Sequence, residues 1–153
     1  DRQTLLAGIG YRTNLEGATQ LAAIGQGTFA VETFDLPHYK GRADVFHLMS
    51  VLSPVDRDLA VVYLPLMPVR LVELLEARGF SFVEVPDTEF PTMGCNVLAV
   101  APREVVIVEG NPETVKRLEA AGCRVHVIEG AEICRKGEGG PTCLTRPLTR
   151  RNP

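Results

Sequence analysis

The segment LEARGFSFVEV, at residues 75–85, is similar to LEAAGCRVHVI, at residues 118–128, and the two are offset by 43 positions. In each copy a helical pattern ends in a glycine, and an alternating apolar pattern typical of a strand follows it. Two further runs of strand length precede each helix. They are VFHLMSVL (45–52) and LAVVYLPL (59–66) in one copy, and VLAVA (97–101) and VVIVE (105–109) in the other. The repeat predicts a unit of strand, strand, helix and strand, written ββαβ.

Looser copies of this unit lie on either side of the repeat. The strand-like TLLAGIG (4–10) is followed by a helix capped by Asn14 and by the strand FAVETFDL (29–36), and TCLTRPL (142–148) is typical of the first strand of a further unit. Repeated α/β units stack in a line or close into a ring. We therefore expect an α/β fragment of one domain, residues 1–153, with about three ββαβ units plus that strand, and with the remaining units upstream of Asp1.

Composition excludes several classes of function. The chain is 45% hydrophobic and 23% charged, as in an ordinary globular domain, and its net charge of −3 gives no basic surface for nucleic acid or an anionic membrane. Its four cysteines form no Cys-x-x-Cys pair, and the possible Cys and His ligands are too scattered to predict a metal site. With no secretion signal in the sequence, we expect reduced thiols and a cytoplasmic protein.

Cys143 is the first candidate for chemistry. It lies in GGPTCLTRPL (139–148), where the glycines allow the backbone to approach a ligand and offer N–H groups to an anion. The sequence leaves two interpretations open, a nucleophile or a half-buried strand cysteine. Cys95, Cys123 and Cys134 lie on or beside regular elements and are expected to pack.

Three histidines could serve as the base for such a nucleophile. His47 begins HLMS on an expected strand, His38 lies in a polar loop, and His126 lies in the middle of a strand. In a ring of repeats, residues at the strand edges of different units converge on the axis, so His47 and Cys143 could meet there. Arg12, between a strand and a helix N-cap, either binds a carboxylate in two-pronged fashion or is a surface arginine.

Taken together, several segments resemble the guanidino-group modifying enzymes, a superfamily that includes arginine deiminases, dimethylarginine dimethylaminohydrolases and amidinotransferases. They follow one another in the order typical of that superfamily and extend through nearly the whole chain. They are GYRTNLEGA, FHLMSVLS, EFPTMGCNVLAVAP (89–102), EGNPETVKRLEAAGCRVHVIEGAEI (109–133) and GEGGPTCLTRPL (137–148).

The resemblance implies a pseudo-fivefold α/β propeller of ββαβ units around a central active site, without a cofactor. It implies that Cys143 is the nucleophile, that His47 is the general acid and base, and that Arg12 holds the α-carboxylate of the substrate. Asn96 and Met49 are the other expected substrate-binding residues. Attack of Cys143 on a guanidinium carbon would expel an amine, and hydrolysis of the adduct would release citrulline.

The sequence departs from the superfamily pattern in two ways, and the first of them bears on the substrate. Deiminases usually carry an acidic residue two places after the histidine, where this chain has Met49, and HLMS is more similar to the dimethylarginine hydrolases. GGPTCLTRPL is closer to the deiminase form. We therefore expect a dimethylarginine dimethylaminohydrolase-like enzyme acting on arginine or a methylated arginine, with arginine deiminase as the alternative and amidinotransferase third.

The other departure is an absence. The superfamily's Glu-Gly-Gly-Asp segment and its guanidinium-binding Asp have no counterpart in this sequence. We expect them in a missing N-terminal part with which the chain associates. The non-enzyme alternative is an inactive fragment that acts as a binding or structural module and pairs with itself through its strand edges.

Overall fold

The computed structural model describes residues 3–44 and 46–149. Eight strands and three α-helices alternate along this part of the chain, as the repeat predicts. They are β1 (Thr4–Ile9), α1 (Leu15–Ile24), β2 (Ala30–Asp35), β3 (Leu52–Pro54), β4 (Leu59–Val62), α2 (Val69–Ala77), β5 (Ser81–Glu84), β6 (Leu98–Ala101), β7 (Glu104–Val108), α3 (Pro112–Ala120) and β8 (Arg124–Ile128). Short 3₁₀ turns cover Leu48–Ser50 and Leu64–Leu66, and Ala131–Arg135 forms a π-helical turn.

The sheets show the repeat directly. Within the described residues the strands form a two-stranded sheet, β1-β2, and two three-stranded sheets, β3-β4-β5 and β6-β7-β8. In each three-stranded sheet the first pair is antiparallel and the second pair is parallel, with the helix in the parallel crossover. The strands β1 and β2 are parallel and enclose α1, so they have the second half of the same topology.

Local sequence accounts for the start of α1. The side chain of Asn14 accepts a hydrogen bond from the backbone N–H of Gly17 at 2.8 Å, which satisfies one of the free donors in the first turn. Glu16 lies in that turn, where the helix dipole favours a negative charge. The expected cap and helix are therefore confirmed.

Two hydrophobic clusters hold the units together. One lies around β2, β3, β4 and α2 and includes Val51 and Leu71, which are both fully buried. The other extends from β4 and β5 to β7 and α3 and includes Ile107 and Leu118. The helix α3 packs both on β8 of its own sheet and on β5 of the preceding unit, and so links the two units. None of the helices in the described residues is long and apolar enough to cross a bilayer.

Arg103 ties two units together at the turn between β6 and β7. Its side chain donates hydrogen bonds to Asp56, at 2.7 Å, to Asp58, at 2.9 Å, and to the carbonyl of Ala121, at 2.6 Å. Its backbone N–H donates to the carbonyl of Val55 at 3.0 Å. The planar guanidinium can satisfy this fork of acceptors, which a lysine could not. The contacts fix the position of the third unit on the second.

The expectation of a strand at residues 142–148 was wrong. The chain forms a turn at residues 141–144 and then continues without regular structure to residue 149. Its N–H groups are used elsewhere: Thr142 donates to the side chain of Asn96 at 3.0 Å, and Leu144 donates to the carbonyl of Gly140 at 3.1 Å. With these donors engaged, the segment does not pair as a strand.

Candidate active site

The turn that carries Cys143 is built on buried glycines. Gly139, Gly140 and Pro141 are buried, whereas Cys143 is exposed. A Cβ atom at Gly140 would lie 2.5 Å from Cγ of Asn96, closer than any real contact. Glycine is therefore required here for close approach, and this approach brings the cysteine turn onto Asn96.

Asn96 holds the turn through both ends of its amide. Its Nδ2 group donates to Cys143 Sγ at 2.9 Å, and its Oδ1 atom accepts from the backbone N–H of Thr142 at 3.0 Å. Only 9% of Asn96 is exposed. This nearly buried amide therefore holds both the sulfur and the backbone of the turn that carries it.

His47 is placed differently from the expectation, which put it on a strand. It is extended, and the 3₁₀ turn Leu48–Ser50 follows it, because the N–H of Ser50 bonds back to the carbonyl of His47 at 2.8 Å. The backbone N–H of His47 in turn donates to Ser50 Oγ at 3.2 Å. Met49 lies half-buried within the same turn.

Arg12 lies in the loop between β1 and α1, where its side chain is exposed. It is nevertheless close enough to His47 to act on it electrostatically. Burial, and after it the positive charge of Arg12, hold the pKa of the His47 imidazole below its ordinary value of 6.5. The neutral imidazole is therefore the favoured form at neutral pH.

The five candidate residues thus form two groups in this structure. Cys143 is hydrogen bonded to Asn96. His47 is electrostatically coupled to Arg12, and Met49 lies two residues after His47 in the chain. Within the described residues, no hydrogen bond joins His47 to Cys143. The expected pairing of these two residues remains a prediction.

The other cysteines are in a different environment from Cys143. Cys95, Cys123 and Cys134 are all buried. Burial raises the pKa of the Cys95 thiol to about 12 and also raises the pKa of the Cys123 thiol. A thiol with a raised pKa is a poor nucleophile near pH 7, because the thiolate is the reactive form.

The remaining histidines have local partners. His38 is hydrogen bonded to the hydroxyl of Tyr11 at 2.7 Å, and His126 to Glu104 at 2.9 Å. Among residues 3–44 and 46–149, no three His, Cys, Asp or Glu side chains are grouped as metal ligands.

Sequence reasoning did not find the contact of Asn96 with the sulfur. Asn96 follows Cys95 just before β6, and 47 positions separate it from Cys143, so no local pattern connects them. Gly140 was the available signal, since a glycine next to a proline and a cysteine indicates close backbone approach.

Comparison with known proteins agrees with this architecture. A model of the arginine deiminase family matches residues 67–150. The arginine deiminase of Rhodococcus jostii (strain RHA1) is 33% identical, in an alignment covering 94% of this chain and 42% of that enzyme. An uncharacterized protein of Bacillus subtilis (strain 168), YkgA, is 27% identical over 98% of this chain and 50% of its own length. The chain thus spans half the length, or somewhat less, of these two relatives.

Solved structures show the same fold. SxtG, an amidinotransferase from Microseira wollei, superposes with a TM-score of 0.83 at 17% identity and covers all of this chain and 46% of its own. A dimethylarginine dimethylaminohydrolase from Pseudomonas aeruginosa gives a TM-score of 0.71 at 24% identity, covering 92% of this chain and 49% of its own. At these identities the likeness is one of fold, and it confirms the expected fold class, part of an α/β propeller built from ββαβ units. From the family model and this fold, the chain belongs to the arginine deiminase family of the guanidino-group modifying superfamily.

Proposed function

We propose that this chain carries the nucleophile and the general acid and base of a cysteine-dependent hydrolase that converts an arginine-type guanidino group into citrulline and an amine. The observation that carries the proposal is the contact between Asn96 and Cys143. It combines an exposed sulfur, a glycine-built turn and a nearly buried amide donor directed at that sulfur. Family membership supports the same chemistry, since the Rhodococcus relatives are named as arginine deiminases.

In the proposed reaction, the sulfur of Cys143 attacks the central guanidinium carbon. The bond from this carbon to the departing nitrogen breaks once that nitrogen is protonated, which leaves an S-alkylthiouronium group on the cysteine. Water then attacks the same carbon, the carbon–sulfur bond breaks, and citrulline leaves with the thiolate restored. Proton transfer by a positioned group contributes typically about 10²- to 10⁴-fold to such steps.

His47 is suited to both proton transfers. Because its pKa is held below 6.5, its imidazole is mostly neutral at pH 7 and can accept the proton of the Cys143 thiol. The imidazolium formed in this way protonates the leaving nitrogen, and the neutral ring then takes a proton from the attacking water. Arg12, exposed beside His47, would bind the α-carboxylate of the substrate.

The position of Met49 favours a methylated arginine as substrate. It lies two residues after His47, half-buried in the 3₁₀ turn, and it presents a flexible apolar side chain. A thioether cannot accept the N–H bonds of an unsubstituted guanidinium as a carboxylate would, but it packs well against N-methyl groups. The dimethylarginine dimethylaminohydrolase of similar fold was solved as a Cys-to-Ser mutant complexed with citrulline.

Arginine itself is the second candidate substrate. The observation that favours it is the sequence likeness, since both the family model and the Rhodococcus relatives are named for arginine deiminase. The two substrates give the same citrulline and differ in the amine released.

Both substrates can be tested in one assay. Arginine and asymmetric dimethylarginine are offered together, citrulline is measured, and the released amine is identified, with Cys143→Ser as the control. We expect dimethylamine. Ammonia instead would make the protein a deiminase, and neither amine would mean that this chain is inactive by itself and needs the acidic residues expected in its N-terminal part.

A further inference from the structure

We propose that Ser53 is a positioning residue for Cys143 and that it acts through Asn96. This inference deepens the proposed function and rests on it, since it concerns the nucleophile of that reaction. Ser53 does not contact the sulfur. Its hydroxyl holds the backbone on both sides of Asn96, and Asn96 in turn holds the sulfur.

The contacts of Ser53 surround Asn96. Its Oγ atom donates to the carbonyl of Cys95 at 2.7 Å and accepts from the N–H of Val97 at 3.3 Å. These are the two residues next to Asn96 in the chain. Ser53 is 1% exposed, so water cannot replace either bond. A hydroxyl is suited to this place because one oxygen both donates and accepts.

Asn96 needs such support because it lies outside the regular elements. The strand β6 begins only at Leu98, and the N–H of Asn96 closes a turn onto the carbonyl of Met93 at 2.9 Å. Met93 has a positive φ of 67°, a conformation that non-glycine residues rarely adopt. A strained turn without strand pairing would leave the amide of Asn96 free to shift by the fraction of an ångström on which its bond to the sulfur depends.

Ser53 also connects the two groups of candidate residues. It lies on β3, six positions after His47, and the 3₁₀ turn Leu48–Ser50 and the fully buried Val51 fix the segment between them. The chain that positions His47 therefore also bonds to the backbone around Asn96. A shift of β3 would move both the proposed base and the support of the nucleophile.

The rival explanation is that Ser53 only satisfies two buried backbone groups and so contributes to stability alone. The two explanations differ in a double-mutant cycle. If Ser53 acts through Asn96, replacing Ser53 should not slow the alkylation of Cys143 any further in a protein that already lacks the amide of Asn96. If Ser53 acts only on stability, Cys143 should react at the wild-type rate in folded Ser53→Ala, whatever the effect of Asn96→Ala.

The experiment measures the alkylation rate of Cys143 by iodoacetamide in the folded chain, followed by peptide mass spectrometry. The variants are Ser53→Ala, Asn96→Ala and the double mutant, with urea unfolding to establish that each is folded. Asn96→Ala removes the two hydrogen bonds that hold Sγ of Cys143 and the N–H of Thr142 in place, so we expect it to slow alkylation by about three- to tenfold. Ser53→Ala should slow it by about two- to fivefold, and the double mutant should match Asn96→Ala.

Ala18→Gly is the matched control, since it destabilises α1, a helix that packs on β1 and β2, at a buried position that belongs to neither hydrophobic cluster. It should leave the alkylation rate unchanged. Should Ser53→Ala not fold, Ser53→Cys takes its place, and its weaker sulfur hydrogen bonds predict an intermediate slowing.

The proposal would be overturned if folded Ser53→Ala were alkylated at Cys143 at the wild-type rate. It would also be overturned if Ser53→Ala slowed alkylation by the same factor in the wild-type protein and in Asn96→Ala. Because alkylation needs no substrate, this result is independent of the proposed function. If the alkylation rates follow the prediction but no citrulline is formed, only the proposed reaction is contradicted. If citrulline is formed but the alkylation rates do not follow the prediction, only the role of Ser53 is contradicted.

Discussion

Asn96 Nδ2 lies 2.9 Å from Cys143 Sγ, and this contact joins the segment before β6 to the glycine-rich turn near the end of the described chain. The donor belongs to an amide that is 9% exposed, whereas the sulfur is open to solvent. A sulfur in such surroundings is accessible to a substrate and is held by a fixed dipole at the same time.

Asn96→Asp should slow the reaction of Cys143 with iodoacetamide on the order of tenfold at neutral pH, because a carboxylate in place of the amide removes the hydrogen-bond donor to Sγ and places an acceptor against the sulfur instead. Time-resolved peptide mass spectrometry measures this rate. Asn14→Asp is the matched control, since Asn14 is an exposed helix cap and aspartate caps equally well. An equal slowing in both variants would argue against a specific role for Asn96.

Gly140→Ala should disrupt the site, because the new Cβ would lie 2.5 Å from the amide carbon of Asn96 and must displace that side chain. We expect both a lower alkylation rate at Cys143 and a loss of about 1–3 kcal/mol in the free energy of unfolding, measured in urea. Gly17→Ala is the control, since its Cβ would meet only ordinary contact at 3.4 Å within a helix. That change should instead stabilise the protein by up to about 1 kcal/mol. A wild-type Cys143 rate in Gly140→Ala would contradict the proposed packing.

His47 should titrate below pH 6.5 in the folded protein, and Arg12→Gln should raise its midpoint without restoring 6.5, because burial is the larger cause of the shift. NMR titration of the imidazole measures both values. Arg124→Gln, on β8 of the last unit, is the control and should leave the His47 midpoint unchanged.

Because the pKa of His47 is lower in the folded protein than in the unfolded chain, the free energy of unfolding depends on pH. The unfolded state binds a proton at His47 more readily than the folded state does. The contribution of His47 to stability is therefore fully present above pH 6.5 and is lost as pH falls from 6.5 through the lower folded pKa. A midpoint for His47 at or above 6.5 would contradict the burial and the charge that the structure gives it.

Glu89→Ala should lower the free energy of unfolding by about 3 kcal/mol. The carboxylate of Glu89 is 5% exposed and accepts three hydrogen bonds at the start of α3, from the N–H groups of Glu113 and Thr114 and from the Thr114 hydroxyl. Removing it leaves these donors buried and unpaired. Urea unfolding measures the loss. Glu119→Ala, at an exposed position of the same helix, should cost little, and similar losses in the two variants would contradict the capping role.

The repeat could be predicted because each helix and strand carries its own local pattern. Asn14 caps α1 as its position predicts, and the offset between residues 75–85 and 118–128 reappears as two sheets of the same strand order. Residues 142–148 could not be assigned in this way, since an apolar run does not reveal that its N–H groups bond to Asn96 and Gly140.

The candidate site was predictable only in part. Cys143, His47 and Arg12 could be chosen from their motifs, but the contacts among them depend on how distant segments pack. The strand expected at His47 was replaced by a turn of three residues, because the hydrogen bond from Ser50 closes the chain there. The bonds of Ser53 to the backbone around Asn96 join residues more than forty positions apart, and no local pattern contains them.

The most direct test of the account is to trap the covalent intermediate. The protein is mixed with asymmetric dimethylarginine or arginine, quenched in acid within the first turnovers, digested and analysed by mass spectrometry. We predict an S-alkylthiouronium group on the peptide that contains Cys143, and neither this adduct nor citrulline with Cys143→Ser. An adduct on another residue, or citrulline formed at the wild-type rate by Cys143→Ser, would contradict the assignment of Cys143 as the nucleophile.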